Sequence, residues 1–278
     1  MTETVSTMTL PSASLAGRVA LVTGSGRGLG RTIAEALIAR GADVAIHDID
    51  EAAPAQYGEG ASLTEVAASL ARDAVRTTGV TGDITDPAAI DAMIAQVGER
   101  LGPISILVNC AGGDIGAAGT KPAPNGALDV SMADATAVFQ RNFFGTMLMC
   151  RAVVPGMIER QQGAVVNFGS LNAHQAVSPE VAYGCAKAAI VHYTRCLALE
   201  TRPHGVRVNV VSPGPTMTAR FLATRAVDPR MMEDSASLDR YAWPVEIAGA
   251  VAFLAGPESG FISGQVLRVD GGIGLYAA

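Results

Sequence analysis

A tyrosine and a lysine four positions apart, Tyr183 and Lys187, are the residues of this chain best suited to acid–base chemistry. Both fall in a segment with helical spacing of apolar residues, where positions i and i+4 share a face, so phenol and ammonium would project to the same side. A free tyrosine, with a pKa of ~10, is a poor base at neutral pH, but a nearby positive charge lowers that pKa. The spacing alone is common, and a solvent-facing pair is the alternative interpretation.

The residues that precede this pair favour the catalytic interpretation. The segment Gly163–Phe168 has the apolar composition of a buried strand, and Ser170 follows it, 13 residues before Tyr183. In an open α/β sheet, ligands bind beyond the carboxyl ends of the strands. The catalytic interpretation of the tyrosine and the lysine depends on this layout, a serine at a strand end followed by the pair on the next helix.

A glycine-rich segment near the start of the chain has the composition of a phosphate-binding turn. The predicted strand Arg18–Thr23 runs directly into Gly24, Gly28 and Gly30, and a helix follows. Glycines let the backbone turn sharply and approach a pyrophosphate, whose charge meets the exposed N–H groups of the helix. A tight turn without a ligand is the alternative, but the position within the first βαβ unit favours dinucleotide binding.

An acidic residue at the end of the second predicted strand bears on the choice of cofactor. Asp48 lies 18 residues after Gly30, where a carboxylate can accept hydrogen bonds from both ribose hydroxyls of NAD and would repel the 2′-phosphate of NADP. Arg27 acts in the opposite direction, because a guanidinium beside the loop could pair with that phosphate. Repulsion at close range is expected to dominate, so the sequence favours NAD, with NADP as the alternative.

Motifs with these features occur in a fixed order along the chain. In chain order they are TGxxxGxG at Gly24–Gly30, Asn109-Cys110-Ala111-Gly112, Asn142, Ser170, Tyr183 with Lys187, Pro213-Gly214 and Asp270-Gly271-Gly272. Together they resemble the short-chain dehydrogenase/reductase family over about Leu15 to Gly272. One departure is Cys110, which stands where the family's NNAG signature has its second asparagine.

The resemblance implies hydride transfer between a nicotinamide cofactor and the carbonyl or secondary alcohol of a small-molecule substrate. Tyr183 would exchange the hydroxyl proton, and Ser170 would hydrogen-bond the substrate oxygen. Lys187 would lower the pKa of the tyrosine and bind the nicotinamide ribose, and Asn142 would support a water that leads protons to solvent. The family's cofactor contacts fall on Gly24, Arg27, Gly28, Leu29, Gly30, Asp48, Asp83, Ile84, Asn109, Ala111, Gly112, Tyr183, Lys187, Pro213, Gly214, Thr216 and Thr218.

Two of these contacts, Asp83 and Ile84, follow the third predicted strand and would meet the adenine ring. The carboxylate could accept a hydrogen bond from the adenine amino group, and the isoleucine could cover the ring. By itself Asp83 would be interpreted as part of the N-terminal cap region of the next helix. Only the resemblance assigns it to the cofactor.

The elements that must position these residues alternate between short β-rich segments and longer helical ones. Such alternation implies right-handed βαβ crossovers, so we predict one α/β domain, a Rossmann-type doubly wound parallel sheet with helices on both faces. We predict a flexible tail at residues 1–14 and a single catalytic domain over residues 15–278. The predicted strands are Arg18–Thr23, Asp43–Asp48, Gly79–Gly82, Ile104–Cys110, Gly163–Phe168, Arg207–Val211 and Gln265–Val269. The predicted helices include Arg31–Arg40, Ala88–Leu101, Ala133–Arg160, Val181–Glu200 and Val245–Leu254.

Three longer segments interrupt this alternation: Ala52–Ser62, Gly112–Asp129 and Thr218–Arg240. The second and third follow the carboxyl ends of strands, so we expect them to form the walls of a pocket, with residues 218–240 as a substrate lid. The arginines of the lid could bind an anionic group by bidentate bonds, or they could be solvated. The candidates are Arg220, Arg225 and Arg230; the fourth arginine of the segment, Arg240, is its last residue.

Composition excludes several classes of function. Hydrophobic residues make up 49% of the chain, the net charge is −6 and no basic block occurs, so we expect a large core and no nucleic-acid partner. No apolar run reaches the ~18 residues that span a bilayer, and Met1–Ser14 does not resemble a signal peptide. The cysteines lack CxxC spacing and are expected to be reduced and packed, as in a cytoplasmic protein. The family resemblance implies a dimer or tetramer assembled through the helices after the fourth and fifth strands. Those helices, near Ala133–Arg160 and Val181–Glu200, carry more apolar positions than one sheet face could cover, and we predict a homotetramer.

Two alternatives to a dehydrogenase or reductase are an epimerase or dehydratase on the same cofactor fold and a catalytically silent nucleotide-binding regulator. The first usually has a different glycine spacing and a longer C-terminal substrate domain than the six residues after Gly272. The second would be credible if Ser170, Tyr183 or Lys187 were missing. Neither the substrate nor the direction of the reaction follows from the sequence.

Overall fold

The computed structural model describes residues 14–233 and 235–275, and the tail predicted at residues 1–14 lies outside the described residues except for Ser14. These residues form one domain around a seven-stranded, wholly parallel sheet with the order β3-β2-β1-β4-β5-β6-β7. The strands are β1 (Val19–Thr23), β2 (Asp43–Asp48), β3 (Thr77–Thr81), β4 (Ile106–Asn109), β5 (Gly163–Phe168), β6 (Val206–Pro213) and β7 (Val266–Val269). The predicted fold class is confirmed.

Helices cover both faces of the sheet. They are α1 (Gly28–Ala39), α2 (Leu63–Leu70), α3 (Pro87–Arg100), α4 (Met132–Phe139), α5 (Gly145–Glu159), α6 (Val181–Thr201), α7 (Ala219–Thr224) and α8 (Pro244–Ala255). One core cluster joins the sheet to α1, α2 and α8, and a second joins it to α3 and α5. Because both faces are covered, the central strands are nearly continuous aliphatic segments, and every residue of β1 is buried.

The order of the strands reverses between β1 and β4, since the chain builds outward to β3 on one side and then to β7 on the other. At such a switch point the loops beyond the two central strands separate and leave a crevice. The loop after β1 carries the glycine-rich segment, and the loop after β4 carries Ala111 and Gly112. The topology therefore places the predicted cofactor residues along one edge of the sheet.

Two predicted helices differ from the observed ones in ways that bear on the site. Helix α1 begins at Gly28 rather than Arg31, so the glycines form its first turn and expose its N–H groups. The single helix predicted over Ala133–Arg160 is interrupted by a π-helical turn at Gln140–Phe144. This turn contains Asn142, whose Nδ2 donates to the Val138 carbonyl at 2.8 Å. Such turns occur frequently at functional sites.

The cysteines are all free, but the prediction that they are packed is correct for only two of them. Cys150 is buried and Cys110 is half-buried, whereas Cys185 and Cys196 on α6 are exposed. The apolar neighbours of the exposed pair belong to other faces of the same helix. Among the residues that the structure describes, no helix is both long enough and apolar enough to cross a membrane.

Candidate active site

A cleft of about 760 Å³ opens beyond the carboxyl ends of the central strands and contains most of the predicted site residues. It is lined by the glycine-rich segment, by the ends of β2 and β3, by the loops after β4, β5 and β6, and by α7. Of the predicted residues, only Asn109 and Asn142 do not line it. Both lie directly behind its wall.

The glycine-rich segment is packed too closely to carry side chains. A Cβ added to Gly24, whose φ is +65°, would lie 2.8 Å from the Cα of Ala111, and one added to Gly30 would collide with the Gly24 carbonyl. The loops after β1 and β4 therefore meet backbone to backbone. The N–H groups at the start of α1 are left facing the cleft, as anion binding at a helix N-terminus requires.

A carboxylate already binds one of these N–H groups. Oε2 of Glu59 accepts a hydrogen bond from the Gly28 N–H at 2.7 Å. Glu59 is held in place by Arg31, whose Nη1 donates to its carbonyl at 2.5 Å. The segment Ala52–Ser62, which the sequence analysis did not assign to a wall, therefore covers the phosphate-binding end of the cleft.

The same segment engages Arg27, the residue considered as a partner for a 2′-phosphate. Its Nη1 donates to the Ala53 carbonyl, and its guanidinium lies 5.1 Å from the centroid of the Tyr57 ring. The role of Ala52–Ser62 as a wall could have been predicted from its position after β2, because that strand also ends at the edge of the sheet where ligands bind.

Asp48 ends β2, as predicted, and its side chain lies beside the glycine-rich segment. Its Oδ1 accepts from the Ile49 N–H at 2.9 Å, and a Cβ added to Gly26 would be 2.9 Å from its Oδ2. The neighbouring His47 was not predicted. Burial lowers the pKa of this imidazole, which joins the Gly24 N–H to the Gly82 carbonyl. A neutral histidine therefore connects the ends of β1, β2 and β3.

Asp83 and Ile84 both line the cleft, but only the isoleucine is free of local bonds to its own turn. Oδ1 of Asp83 accepts from the N–H and the hydroxyl of Thr85, both at 2.8 Å. This is the turn-forming role considered as the alternative for Asp83. Ile84 is buried and lies so close to Gly145 that a Cβ there would be 2.7 Å from its Cδ1.

Asn109 does not face the cleft. Its Nδ2 donates to Oδ1 of Asn167 at 2.8 Å, and Nδ2 of Asn167 donates to the Thr194 hydroxyl at 2.9 Å. These buried amides connect β4, β5 and α6. The side chain of Asn109 thus stabilises the elements behind the site rather than contacting a ligand.

The predicted catalytic residues converge at the other end of the cleft. Nζ of Lys187 lies 5.6 Å from the ring centroid of Tyr183 and donates to the Phe168 carbonyl at 2.9 Å. Ser170 hydrogen-bonds the Tyr183 phenol and also accepts from the Asn172 N–H at 3.2 Å. The end of β5 and the start of α6 thus bring three sequence motifs into one cluster.

The pKa values of this cluster differ from the expectation that Lys187 lowers the pKa of Tyr183. Burial raises the pKa of the Tyr183 phenol, and the hydrogen bond with Ser170 offsets only part of that effect. Burial also lowers the pKa of Lys187, to about 8. The expectation is corrected because both groups are buried, which disfavours phenolate and ammonium alike.

Asn142 acts on the loop after β4. Its Oδ1 accepts from the Gly113 N–H at 2.9 Å, and its Nδ2 donates to the Gly113 carbonyl at 2.9 Å. A Cβ on Gly112 would lie 2.5 Å from Oδ1 of Asn142 and 3.6 Å from Nζ of Lys187. The π-helical turn therefore presents an amide that fixes the backbone next to Lys187.

Glu180 is a residue of the cleft for which the sequence contained no signal. It lies three positions before Tyr183, and its carboxylate accepts from Lys121 at 2.6 Å, Arg225 at 2.9 Å and Asn172 at 2.9 Å. Those donors belong to the loop after β4, the lid and the loop after β5. One buried carboxylate thus joins the three segments that surround Ser170 and Tyr183.

The loop and lid after β6 close the remaining side. The Thr218 hydroxyl caps α7 by accepting from the Phe221 N–H at 3.1 Å, and the Thr216 hydroxyl donates to the Gly214 carbonyl at 2.9 Å. Gly214 packs against Asp270, because a Cβ there would lie 2.9 Å from the Asp270 Cα. The Asp270-Gly271-Gly272 motif therefore lies beside the cleft.

Within residues 14–233 and 235–275, no group of three or more His, Cys, Asp or Glu side chains could hold a metal ion. The chemistry available at the cleft is that of a phenol, a hydroxyl and an amine beside a side-chain-free cradle. Such a cradle fits a pyrophosphate, and the catalytic cluster fits a carbonyl or hydroxyl oxygen.

Comparisons with known proteins identify relatives of this chain. The sequence profile of a family described as enoyl-(acyl carrier protein) reductase matches residues 24–274. The chain is 35% identical over 265 residues to cyclohexanol dehydrogenase of Rhodococcus sp. (strain TK6), covering 93% of this chain and 97% of that one. It is 37% identical to D-threitol dehydrogenase of Mycolicibacterium smegmatis, with 93% of each chain covered. A crystal structure of a short-chain type dehydrogenase/reductase from Mycobacterium marinum superposes with a TM-score of 0.79 at 28% identity, covering 95% of this chain and 98% of that one.

Proposed function

Because the chain belongs to the short-chain dehydrogenase/reductase family of oxidoreductases, we propose that it transfers a hydride between a nicotinamide cofactor and the carbonyl or secondary alcohol of a small molecule. The observation that carries this proposal is the convergence of Ser170, Tyr183 and Lys187 at one end of a cleft whose other end is the glycine cradle. Two relatives are named for dehydrogenase activities on cyclohexanol and D-threitol, both alcohols. They support an alcohol or ketone as the substrate class.

The residues of the cradle fit a dinucleotide. The backbone at Gly24 and Gly30 has no space for side chains, and the Gly28 N–H donates a hydrogen bond to an anionic group, the Glu59 carboxylate. Asp48 lies where it can bond ribose hydroxyls, and its charge disfavours a 2′-phosphate, so we propose NAD as the preferred cofactor. Arg27 is directed to Ala53 and Tyr57, which reduces its availability to a phosphate.

When bound, the cofactor supplies or accepts the hydride. Ser170 holds the substrate oxygen by a hydrogen bond and stabilises the charge that develops on it. Tyr183 donates its proton to that oxygen during reduction and removes the hydroxyl proton during oxidation. Its raised pKa keeps the phenol protonated at neutral pH, the state needed for reduction.

Lys187 and Asn142 complete the proposed catalytic set. Lys187 lies beside the Tyr183 ring, and its amine would bind the nicotinamide ribose of the cofactor. Asn142 holds both backbone groups of Gly113 and so positions the wall next to Lys187. Its role in leading protons to solvent stays a prediction. A cytoplasmic location and a homotetrameric assembly likewise belong to the proposal.

The variant Tyr183→Phe tests the proposal. With NAD(H) and a panel of secondary alcohols, polyols and ketones, turnover should fall by about 10²-fold or more, because the general acid–base is lost, while cofactor affinity changes little. Tyr193→Phe is the matched control, since it removes the same atom from the same helix outside the cleft. Near-normal turnover in Tyr183→Phe would overturn the assignment, and binding of NAD without any turnover in the wild type would favour the silent regulator.

A further inference from the structure

The arginines of the lid differ in their partners. Arg225 pairs with Glu180 at 2.9 Å, and Arg230, which is exposed, pairs with Asp228 at 2.7 Å. In the part of the chain that the structure describes, Arg220 has one hydrogen bond, from Nη1 to the Gly112 carbonyl at 3.2 Å, and no carboxylate partner. A guanidinium carries five N–H donors in a planar fork, so most of its bonding capacity is unused.

The protein nevertheless provides a defined place for this guanidinium. Arg220 lines the cleft and is half-buried against the loop after β4. Gly113 has a φ of +139°, and a Cβ there would collide with both terminal nitrogens of Arg220. The absence of a side chain at that position admits the guanidinium. Burial lowers the pKa of Arg220, because a cation is less stable where it is partly removed from water.

Within the described residues, the acids of this end of the cleft form no ion pair with Arg220. Glu180 is already neutralised by Lys121 and Arg225. The carboxyl of Asp114 bonds to Nδ2 of Asn125, and its pKa is raised by burial and by the charge of Glu180. The catalytic end of the cleft therefore carries excess positive charge in a protein whose net charge is −6.

Building on the proposed oxidoreductase function, we propose that Arg220 binds an anionic group, a carboxylate or phosphate, carried by the substrate alcohol or ketone. The planar fork suits bidentate bonding to either group. A substrate anion is favoured over the cofactor's pyrophosphate because Arg220 donates to Gly112, a residue that lies close to Asn142 and Lys187. Arg220 also interacts electrostatically with Tyr57 and Arg27 of the cradle wall, so a loss of NAD affinity in an Arg220 variant is the competing outcome. The cradle has its own anion site at Gly28, where the nearest side chain of the lid is Thr218.

The experiment compares acids with their neutral counterparts on the NADH-loaded protein. The probes are lactate and lactamide, 3-hydroxybutyrate and its amide, and gluconate and glucitol, each tested by thermal shift and, where turned over with NAD, by kcat/KM. Wild type should prefer the acids. Arg220→Gln should lower kcat/KM for an acid about tenfold or more and abolish its thermal shift, because a charge-assisted bond is lost. Arg230→Gln is the matched control, and Arg220→Lys should restore part of the preference.

The outcomes separate the two proposals. Equal binding of acids and neutral partners by wild type would overturn the role of Arg220. So would a tenfold loss of NAD affinity in Arg220→Gln with an unchanged acid preference, since the guanidinium would then serve the cofactor. Acid binding that depends on Arg220 without hydride transfer to any alcohol or ketone would support the anion site and overturn the oxidoreductase function. Turnover of neutral alcohols alone would support the oxidoreductase function and overturn the anion site at Arg220.

Discussion

The two ends of the cleft differ in charge. The cradle end is acidic, and its charged lining residues are Asp48, Glu59 and Asp83 with Arg27. The catalytic end is basic, and its charged lining residues are Lys121, Arg141, Lys187, Arg220 and Arg225 with Asp114 and Glu180. Acids at the first end can accept bonds from sugar hydroxyls and an amino group, whereas cations at the second end favour an anion beside the reacting oxygen. One cleft can thus select different chemistry at its two ends.

The two ends also differ in the backbone groups that contact their charged side chains. At the acidic end, Glu59 bonds to the N-terminus of α1 and Asp83 bonds to its own turn, so backbone N–H groups stabilise the carboxylates. At the basic end, Lys187 is buried and Arg220 half-buried, each donating to a carbonyl oxygen, and burial lowers the pKa of both. The charges of Lys187 and Arg220 therefore cost stability in the folded protein.

The largest expected effect is a pH dependence of the free energy of unfolding that results from the burial of Lys187. Its pKa is lowered to about 8 in the folded chain, below the ~10.4 of an unfolded lysine, so between these values the unfolded state binds more protons. The free energy of unfolding of wild type, relative to Lys187→Met, should rise across that range by up to about 1.4 kcal/mol per pH unit. Urea unfolding at pH 6 to 10.5 measures the difference. The difference in free energy of unfolding between wild type and Lys187→Met should not change with pH below about pH 7. A decrease in this difference as the pH rises above about 8 would contradict the prediction.

A smaller effect is expected at the acidic end, where Asp48 should set the choice of cofactor. Wild type should prefer NAD over NADP in kcat/KM by tenfold or more, about 1.4 kcal/mol. Asp48→Ala should narrow or invert that preference because it removes the repulsion of the 2′-phosphate. Asp50→Ala, a change to an exposed acid on the same loop, is the control. If wild type favours NADP, Arg27 outweighs Asp48 and the acidic end does not select the cofactor.

The smallest effect concerns Glu59, which holds the N–H group that a pyrophosphate would use. Glu59→Gln keeps the shape of the side chain and removes its charge from the N-terminus of α1. Because such a charge is worth about 0.3–1 kcal/mol, NAD should bind roughly two- to fivefold more tightly. Titration calorimetry with NAD measures the change, and Glu99→Gln, at an exposed site on α3, is the charge-matched control. Weaker binding in Glu59→Gln would show that the carboxylate helps to hold the cofactor.

Parts of this architecture follow from local sequence patterns. The observed bounds of β2 and β5 equal the predicted ones, because buried parallel strands are short aliphatic segments bounded by polar or glycine residues. The start of α1 was predicted three residues too late, because glycines are poor helix formers and only the packing of Gly30 against Gly24 explains their place in the helix. Tertiary contact overrides local propensity at that point.

Patterns of residue type and spacing were sufficient to determine the parallel sheet, the cradle and the pairing of Tyr183 with Lys187. These features depend on periodicity and on neighbours within a few residues along the chain. The charges that distinguish the two ends depend on contacts between distant segments: Glu59 with Gly28, Glu180 with Lys121, and Arg220 with Gly112. Only the tertiary structure decided them, because each contact requires loops of irregular conformation to bring distant residues together. The sequence separations of these three pairs are 31, 59 and 108 positions.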